Sequence, residues 1–301
     1  QRQMCIRDRV WDAASGENTL VYRNHLQEAA NPVVGTINFA QDGIWVVTFG
    51  GDMNVRVWNR ETGEDRYVFP LSGRHVFSPD GSRLAIVGDE RAIVVDYATG
   101  DILLDFDPDF GGPCWFGRLS WSPDGRYFRG GCGFQPRADI WDAQTGEHVK
   151  TLPHVDAGVN TTGWSPDGKR ILTAGEKGIV HIWDGESFEP LYDFKGHTSL
   201  IFDAEWSPDG TRIASSDDTG MVRIWDAATR QEVNSYNVGF GVLEVNWSPE
   251  GTGLITAGFQ PIPDIRPVWP STEALIEYAY ECCVSRELTP EERVQFGLPP
   301  R

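Results

Sequence analysis

Residues 201–236 read IFDAEWSPDGTRIASSDDTGMVRIWDAATRQEVNSY, and this stretch decides the fold. Its apolar alternation and β-branched residues predict four short strands, labelled a to d: Ile201–Trp206, Arg212–Ser215, Met221–Asp226 and Glu232–Tyr236. Strands a and b are joined by Ser207-Pro208-Asp209-Gly210, in which Pro presets the turn and Gly accepts a positive φ. The stretch therefore predicts one antiparallel four-stranded unit.

The turn between strands a and b recurs along the chain. Ser-Pro-Asp-Gly stands at 78–81, 122–125, 165–168 and 207–210, and close variants stand at 40–43 and 248–251. The six turn glycines are 38, 44, 43, 42 and 41 residues apart. Repeats of roughly forty residues with four strands each are typical of propeller blades, so the sequence predicts an all-β propeller of antiparallel blades.

Strand c ends on one short motif in five places. These are Val10-Trp11-Asp12, Val57-Trp58-Asn59, Ile140-Trp141-Asp142, Ile182-Trp183-Asp184 and Ile224-Trp225-Asp226. In phase with the turns, these endings resemble the WD-repeat β-propeller family, and the resemblance covers residues 10–270. It implies a rigid ring of four-stranded antiparallel blades that presents loops to other proteins and has no catalytic role.

The repeats do not divide evenly into complete blades. Full four-stranded repeats begin near Thr36, Arg74, Phe116, Asn160 and Ile201. The last repeat offers three strands, and the N-terminal piece offers only Val10–Ala13 and Thr19–Arg23, which correspond to strands c and d. We favour a seven-bladed parent ring whose first blade is truncated. In a second solution, Leu20–Arg23 completes the last blade of a six-bladed ring.

Two terminal segments are set apart from the propeller. Residues 1–9 include Gln3–Arg9, which reads like one frame through a sequencing-library transposon end and is expected to be non-native. Residues 271–301 predict a short C-terminal tail of two helices, the second opened by a capping box from Thr289 to Glu292. Its Leu-Thr-Pro-Glu-Glu motif resembles the C-termini of bacterial multidomain WD-repeat proteins.

The resemblance also implies a buried hydrogen-bond network in the repeat that opens with Gly196-His197. The network would join His197, Ser215 and Trp225. An aspartate of the b–c turn would complete it, either Asp217 or Asp218, and Asp218 is our choice. Such a network satisfies buried polar atoms and ties strands together, so we expect it to be structural.

Two other repeats contain parts of the same set. The first partial copy consists of His154, Thr173 and Trp183. The second consists of Thr48, Asp52 and Trp58. Glu176 stands in the first where an aspartate is usual, and the second has no assigned histidine. We expect His25 to lie outside any such network.

The composition excludes several function classes. Lys and Arg number 26 against 44 Asp and Glu, which gives a net charge of −18. An acidic chain repels phosphates, so neither nucleic acid nor an anionic membrane is expected as a partner. The cysteines and histidines lack metal-ligand spacing and no phosphate-binding loop occurs, so we expect no metal, no cofactor and no enzyme activity. Without a signal peptide or a membrane span, a cytoplasmic location is expected.

Aromatic residues on irregular loops give a candidate binding site. Gly-Phe-Gln-Pro occupies the b–c loops at 133–136 and 258–261, and the neighbouring d–a loops are also aromatic. The candidate residues are Trp115, Phe116, Phe134, Phe240 and Phe259, rimmed by Asp107 and Asp109. Clustered aromatics are favoured anchors of binding sites, and the acidic rim favours a basic or amphipathic peptide. In the alternative, each Phe tucks inward and caps its own blade.

Two functions are consistent with these features. The first is a non-catalytic protein-interaction scaffold or sensor propeller, forming the C-terminal part of a larger bacterial signalling protein. The second is a small-molecule-binding or enzyme-associated propeller of periplasmic type, since Ser-Pro-Asp-Gly turns also recur there. The Trp-Asp endings and the lack of a catalytic set favour the first, although fold alone does not fix function.

Overall fold

A computed structural model describes residues 8–11, 18–22, 24–26, 34–88, 90–109, 116–132, 135–154, 158–259 and 264–268. These residues form seven antiparallel sheets, and each sheet uses strands that are consecutive in the sequence. Five sheets have four strands, one has three and one has two. This is the predicted all-β propeller of antiparallel blades.

The strands are grouped as follows. The N-terminal hairpin consists of β1 (Asp8–Trp11) and β2 (Asn18–Tyr22), and a 3₁₀ turn follows at Asn24–Leu26. Blade 1 consists of β3 (Val34–Phe39), β4 (Trp45–Gly50), β5 (Val55–Asn59) and β6 (Asp65–Phe69). Blade 2 consists of β7 (Arg74–Phe77), β8 (Arg83–Val87), β9 (Ala92–Asp96) and β10 (Ile102–Phe106).

The remaining blades repeat this plan. Blade 3 consists of β11 (Phe116–Trp121), β12 (Tyr127–Cys132), β13 (Arg137–Asp142) and β14 (His148–Pro153). Blade 4 consists of β15 (Val159–Trp164), β16 (Arg170–Gly175), β17 (Ile179–Asp184) and β18 (Pro190–Lys195). Blade 5 consists of β19 (Ile201–Trp206), β20 (Arg212–Asp217), β21 (Met221–Asp226) and β22 (Glu232–Asn237). Blade 6 consists of β23 (Val242–Trp247), β24 (Gly253–Gly258) and β25 (Asp264–Pro267).

The turn between strands a and b closes each hairpin as the sequence predicts. In blade 5 the Ser207 hydroxyl donates to the Asp209 carboxylate over 2.6 Å and accepts from the Arg212 N–H over 2.9 Å. Gly210 has a φ of 68°, a left-handed conformation that glycine adopts without steric cost. Strand b, β20, then runs two residues beyond its predicted end, to Asp217.

The apolar core lies between neighbouring blades. Each cluster of buried side chains combines strands of two adjacent sheets. The contact between Phe194 on strand d of blade 4 and Trp225 on strand c of blade 5 is typical, with ring centroids 5.3 Å apart. Each blade therefore buries its faces against its neighbours in the sequence of blades.

The N-terminal hairpin occupies the corresponding place before blade 1. Tyr22 on β2 stacks on Trp58 of blade 1, with ring centroids 4.1 Å apart and planes 8° from parallel. β2 pairs with β1 and not with β25, so among the described strands it does not complete the last blade. The hairpin thus forms a separate two-stranded sheet before blade 1, and the number of blades in the closed ring stays a prediction.

The terminal predictions fall mainly outside the described residues. Asp8 and Arg9, within the segment expected to be non-native, lie in β1 opposite Tyr22 and Val21. The predicted two-helix tail at 271–301 lies outside the described residues. The part of the chain that the structure describes contains no helix long and apolar enough to cross a membrane.

Candidate protein-interaction surface

A chain of buried hydrogen bonds runs through blade 5. The Trp225 indole N–H donates to the Ser215 hydroxyl over 2.9 Å, and that oxygen lies 2.7 Å from His197 Nε2. His197 Nδ1 lies 2.7 Å from Asp217 Oδ2. All four side chains are buried. Because an ionised carboxylate can only accept, His197 donates to Asp217 from Nδ1 and accepts the Ser215 hydroxyl proton at Nε2.

The aspartate of this network is Asp217, so the choice of Asp218 was wrong. Successive side chains of a strand point to opposite faces, and Asp217 is the second residue after Ser215 on the same strand. Asp218 follows the strand, and its side chain is exposed to solvent. Had strand b been predicted two residues longer, to Asp217, the alternation of side chains along the strand would have identified the correct aspartate from sequence alone.

Burial and hydrogen bonding set the charge states of this pair. Burial lowers the pKa of His197 and outweighs the opposing effect of Asp217, so the ring is neutral near pH 7. Burial alone would raise the pKa of Asp217, but hydrogen bonds from Thr219, His197 and the Met221 N–H hold it below its usual range. The ionised carboxylate therefore fixes the b–c turn at Thr219 as well as the histidine.

Blade 1 contains the same network, with a histidine that the sequence analysis missed. His25 Nε2 lies 2.7 Å from the Thr48 hydroxyl, which also accepts from the Trp58 indole over 3.0 Å. His25 Nδ1 lies 2.7 Å from Asp52, and Arg56 pairs with the other oxygen of that carboxylate at 2.8 Å. The expectations that this copy has no histidine and that His25 stands apart were both wrong.

The reason for the miss is the position of His25 in the chain. It lies on the 3₁₀ turn after β2, 23 residues before its hydroxyl partner, whereas His197 precedes its partner by 18 residues. The residue before it is Asn24 and not glycine, so the Gly-His signature is missing as well.

Blade 4 contains the partial copy that the sequence predicts. His154 Nε2 lies 2.6 Å from the Thr173 hydroxyl, which accepts from the Trp183 indole over 2.8 Å. Glu176 does not bond to the histidine and accepts from the Gly158 N–H over 3.3 Å. The ring of His154 packs edge-on against His181, with centroids 4.6 Å apart, and burial lowers the pKa of His154 to about 3.

The b–c turn of blade 5 abuts the loop that carries Phe240. Val238 N–H donates to the Gly220 carbonyl over 2.9 Å. Gly220 has a φ of 88°, and a Cβ there would lie 2.5 Å from the Phe240 carbonyl oxygen, so only glycine fits. Phe240 itself is 60% exposed. The buried network thus holds the turn against which this exposed aromatic residue is mounted.

Phe259 completes an aromatic surface that we define as Phe202, Phe240 and Phe259. Phe259 is 69% exposed, and its N–H donates to the Gly241 carbonyl over 3.2 Å. Its ring lies edge-on to Phe202, with centroids 6.5 Å apart. Neither Phe240 nor Phe259 tucks inward to cap its blade, in contrast to the alternative considered from sequence.

The other candidate residues are not all brought to this surface. Trp115 and Phe134 lie outside the described residues, as does the side chain of Phe116, whose backbone begins β11. Asp107 and Asp109 are exposed on the connection between blades 2 and 3, so three blades separate them from Phe240 along the ring. They do not rim the aromatic surface. The backbone carbonyl of Asp218, an exposed residue, lies against Gly241 in the loop that carries Phe240.

These features define a class: a repeat-built β-propeller whose blades carry buried Trp–hydroxyl–His networks. The family model described as "WD domain, G-beta repeat" matches residues 16–59, 146–184 and 188–226. These segments contain the strand-c tryptophans of blades 1, 4 and 5, the three blades in which the networks occur. In these three segments the chain is similar to that family. Among the described residues, no group of three or more His, Cys, Asp or Glu side chains could hold a metal ion.

Three curated relatives are eukaryotic proteins. The eukaryotic translation initiation factor 3 subunit I of Emericella nidulans is 28% identical over 207 residues, which cover 64% of this chain and 60% of the relative. The human pre-mRNA-processing factor 17 is 27% identical over 58% of this chain and 31% of its own. Protein tipD of Dictyostelium discoideum is 30% identical over 44% of this chain and 23% of its own. None of these names states a catalysed reaction.

Proposed function

We propose that this chain is a protein-interaction scaffold whose partner binds the aromatic surface of Phe202, Phe240 and Phe259. The observation that carries the proposal is the exposure of two neighbouring phenylalanines on loops that backbone hydrogen bonds and close glycine contacts hold in place. Large aromatic side chains on a fixed support are favoured as anchors of protein interfaces, because little entropy is lost when they are buried.

The partner that fits is a basic or amphipathic peptide segment. The chain has a net charge of −18, and the exposed residue Asp218 contacts the Phe240 loop at Gly241 through its backbone carbonyl. A cationic segment would be steered toward such a chain, and an apolar side chain of the same segment would cover the phenylalanines.

The wider setting that we propose is a larger protein of which this propeller is the C-terminal part. The Leu-Thr-Pro-Glu-Glu motif supports a bacterial signalling protein, and it is the sole support for that origin because the matched relatives are eukaryotic. We also propose a cytoplasmic location for this chain.

The test is selection from a displayed peptide library on the purified chain. We expect enriched peptides to combine Lys or Arg with an aromatic or aliphatic residue, and to bind at least about tenfold more weakly to Phe240→Ser or Phe259→Ser. The matched control is Val233→Ser, since Val233 is 54% exposed on β22, away from these loops. Equal binding of the selected peptides to all three variants would exclude the aromatic surface as the site.

A further inference from the structure

Three blades send an arginine across to the turn of the next blade. The arginine is the first residue of strand b in each case: Arg83, Arg170 and Arg212. Its Nη2 donates to the carbonyl of the turn glycine: Gly125 at 2.9 Å, Gly210 at 3.1 Å and Gly251 at 3.2 Å. The guanidinium also lies over the tryptophan that ends strand a of the next blade: Trp121 at 4.8 Å, Trp206 at 4.6 Å and Trp247 at 5.2 Å.

A guanidinium also stands at the turns between blades 1 and 2, although it comes from another strand. Trp45 is the first residue of strand b in blade 1. Arg66 on β6 stacks over Trp45 at 5.2 Å and donates to the Ala98 carbonyl of blade 2 over 2.8 Å. A guanidinium group therefore lies at the level of the turns in four interfaces between described blades: 1–2, 2–3, 4–5 and 5–6.

The interface between blades 3 and 4 departs from this pattern. Tyr127 is opposite Asp142 in the strand register, as Arg170 is opposite Asp184, so a tyrosine holds the place of the arginine. The ring of Trp164 is covered by Arg129, which lies two residues further along the strand, deep in the interface. Arg129 donates to the Leu172 carbonyl over 3.2 Å and does not reach the turn.

A groove lies where the arginine tip would be. It has a volume of about 570 Å³, and Tyr127 and Trp164 form its aromatic walls. The turns on either side add four carboxylates: Asp124, Asp167, Asp184 and Glu186. The equivalent groove between blades 2 and 3 is lined by Arg83, Gly125, Arg126, Asp142 and Gln144, so two guanidinium groups and one carboxylate line it.

Two carboxylates of the groove between blades 3 and 4, those of Asp167 and Asp184, are held in the ionised form. Hydrogen bonds from the Ser165 hydroxyl and from the Ser187 N–H lower the pKa of Asp167 and Asp184, respectively. The described turn contacts of both aspartates use Oδ1, at 2.6 Å from Ser165 and 2.8 Å from the Ser187 N–H. Two cations border the groove, Lys169 in its lining and Arg126 over the Tyr127 ring at 4.8 Å. Four carboxylates against two cations leave the groove acidic.

We propose that this groove binds an arginine side chain of a partner protein. The guest guanidinium would occupy the level at which the chain's own arginines meet the turns of blades 3, 5 and 6. Carboxylates bind guanidinium in paired hydrogen bonds, and an aromatic wall adds a cation–π contribution. The groove is formed by the a–b and c–d turns, whereas the aromatic surface is formed by the d–a and b–c loops, so this site is separate from the one proposed above.

The first test uses N-acetyl-arginine methylamide as the probe, with the purified chain. Binding is followed by NMR through the Trp164 indole signal, which is assigned with Trp164→Phe. We expect saturable binding of the arginine probe and at least about tenfold weaker binding of the matched citrulline compound, which has nearly the same shape and no charge. Equal binding of the two compounds would overturn the proposal.

The second test fills the groove from within. Tyr127→Arg restores the residue found in three other blades, so we expect a folded protein that has lost the arginine probe, whereas Tyr127→Phe retains it. Glu186→Gln should weaken binding several-fold, and Glu250→Gln, an exposed carboxylate on the a–b turn of blade 6, should leave it unchanged. If Tyr127→Arg binds like the original chain, or if the two glutamine variants behave alike, the proposal is wrong. Phe240→Ser should leave arginine binding intact, which separates this result from the test of the aromatic surface.

Discussion

Blades 5 and 4 contain the same Trp–hydroxyl–His chain, but only blade 5 ends it on a carboxylate. In the strand register, Gly175 of blade 4 holds the place of Asp217, because Val159 pairs with Gly175 as Ile201 pairs with Asp217. A Cβ on Gly175 would lie 1.9 Å from the Gly158 carbonyl oxygen, so no aspartate fits there. The histidine of blade 4 consequently faces a second ring instead of a charge.

The comparison teaches that the acid does more than satisfy its histidine. Asp217 also accepts from the Thr219 hydroxyl at 2.7 Å and from the Met221 N–H at 3.0 Å. The carboxylate therefore joins the end of the network to the b–c turn, whereas in blade 4 Glu176 accepts from the Gly158 N–H and does not reach the histidine.

The largest effect is expected from removing this acid. Asp217→Ala leaves His197 and the turn N–H groups without their acceptor, and should reduce the free energy of unfolding by about 3 kcal/mol. Asp218→Ala is the control, because that side chain is exposed, and should cost less than about 0.5 kcal/mol. Urea denaturation measures both, and similar midpoints for the two variants would contradict the assignment of Asp217.

A smaller effect is expected from the histidines, and it should be equal in blades 1 and 5. His25→Ala and His197→Ala each remove one hydrogen-bond partner from a buried hydroxyl and one from a buried carboxylate, at an expected cost of about 2 kcal/mol. His154→Ala, which affects no carboxylate partner, should cost about 1 kcal/mol. The same urea series decides this, and a negligible cost for His25→Ala would mean that the blade 1 network does not contribute to stability.

The smallest effect is the part of the pH dependence that His154 of blade 4 contributes. Burial lowers the pKa of His154 to about 3 in the folded chain, below its unfolded value, so its neutral form stabilises the fold above the unfolded pKa. As the pH falls from 7 to 5.5 the unfolded state takes up the proton first, which should cost about 1 kcal/mol.

The control for this effect is His154→Asn. It should lose less stability than the original chain over the same pH interval, because residue 154 no longer titrates. Urea denaturation at both pH values gives the comparison. An unchanged pH dependence in the variant would assign the loss to other histidines, of which His75 is also buried with its pKa lowered to about 3.

Much of the fold could be predicted because the repeat specifies it locally. The turn tetrapeptides fix where each hairpin closes, and alternation between them fixes which side chains face the next blade. His25 could not be found in the same way, because its partners are set by the placement of a 3₁₀ turn against blade 1 and not by a repeat offset.

The candidate site was predictable in part. The exposure of Phe240 and Phe259 follows from their Gly-flanked loops, which leave no strand position for them to occupy. The acidic rim was misplaced, because sequence adjacency joined Asp107 to an aromatic loop without showing how far around the ring that loop lies from Phe240. The groove beside Tyr127 becomes visible only when the equivalent strand positions are compared in three dimensions.

The contact between Gly220 and the Phe240 loop has a thermodynamic consequence for association. Because hydrogen bonds from Val238 to Gly220 and from Phe259 to Gly241 already fix the backbone, a partner would have little loop ordering to drive. The entropy lost would be confined to the two phenylalanine side chains, at about 0.5–1.5 kcal/mol each. Binding at this surface should therefore proceed with a heat-capacity change that reflects buried apolar area alone, without the additional term that accompanies folding of a loop.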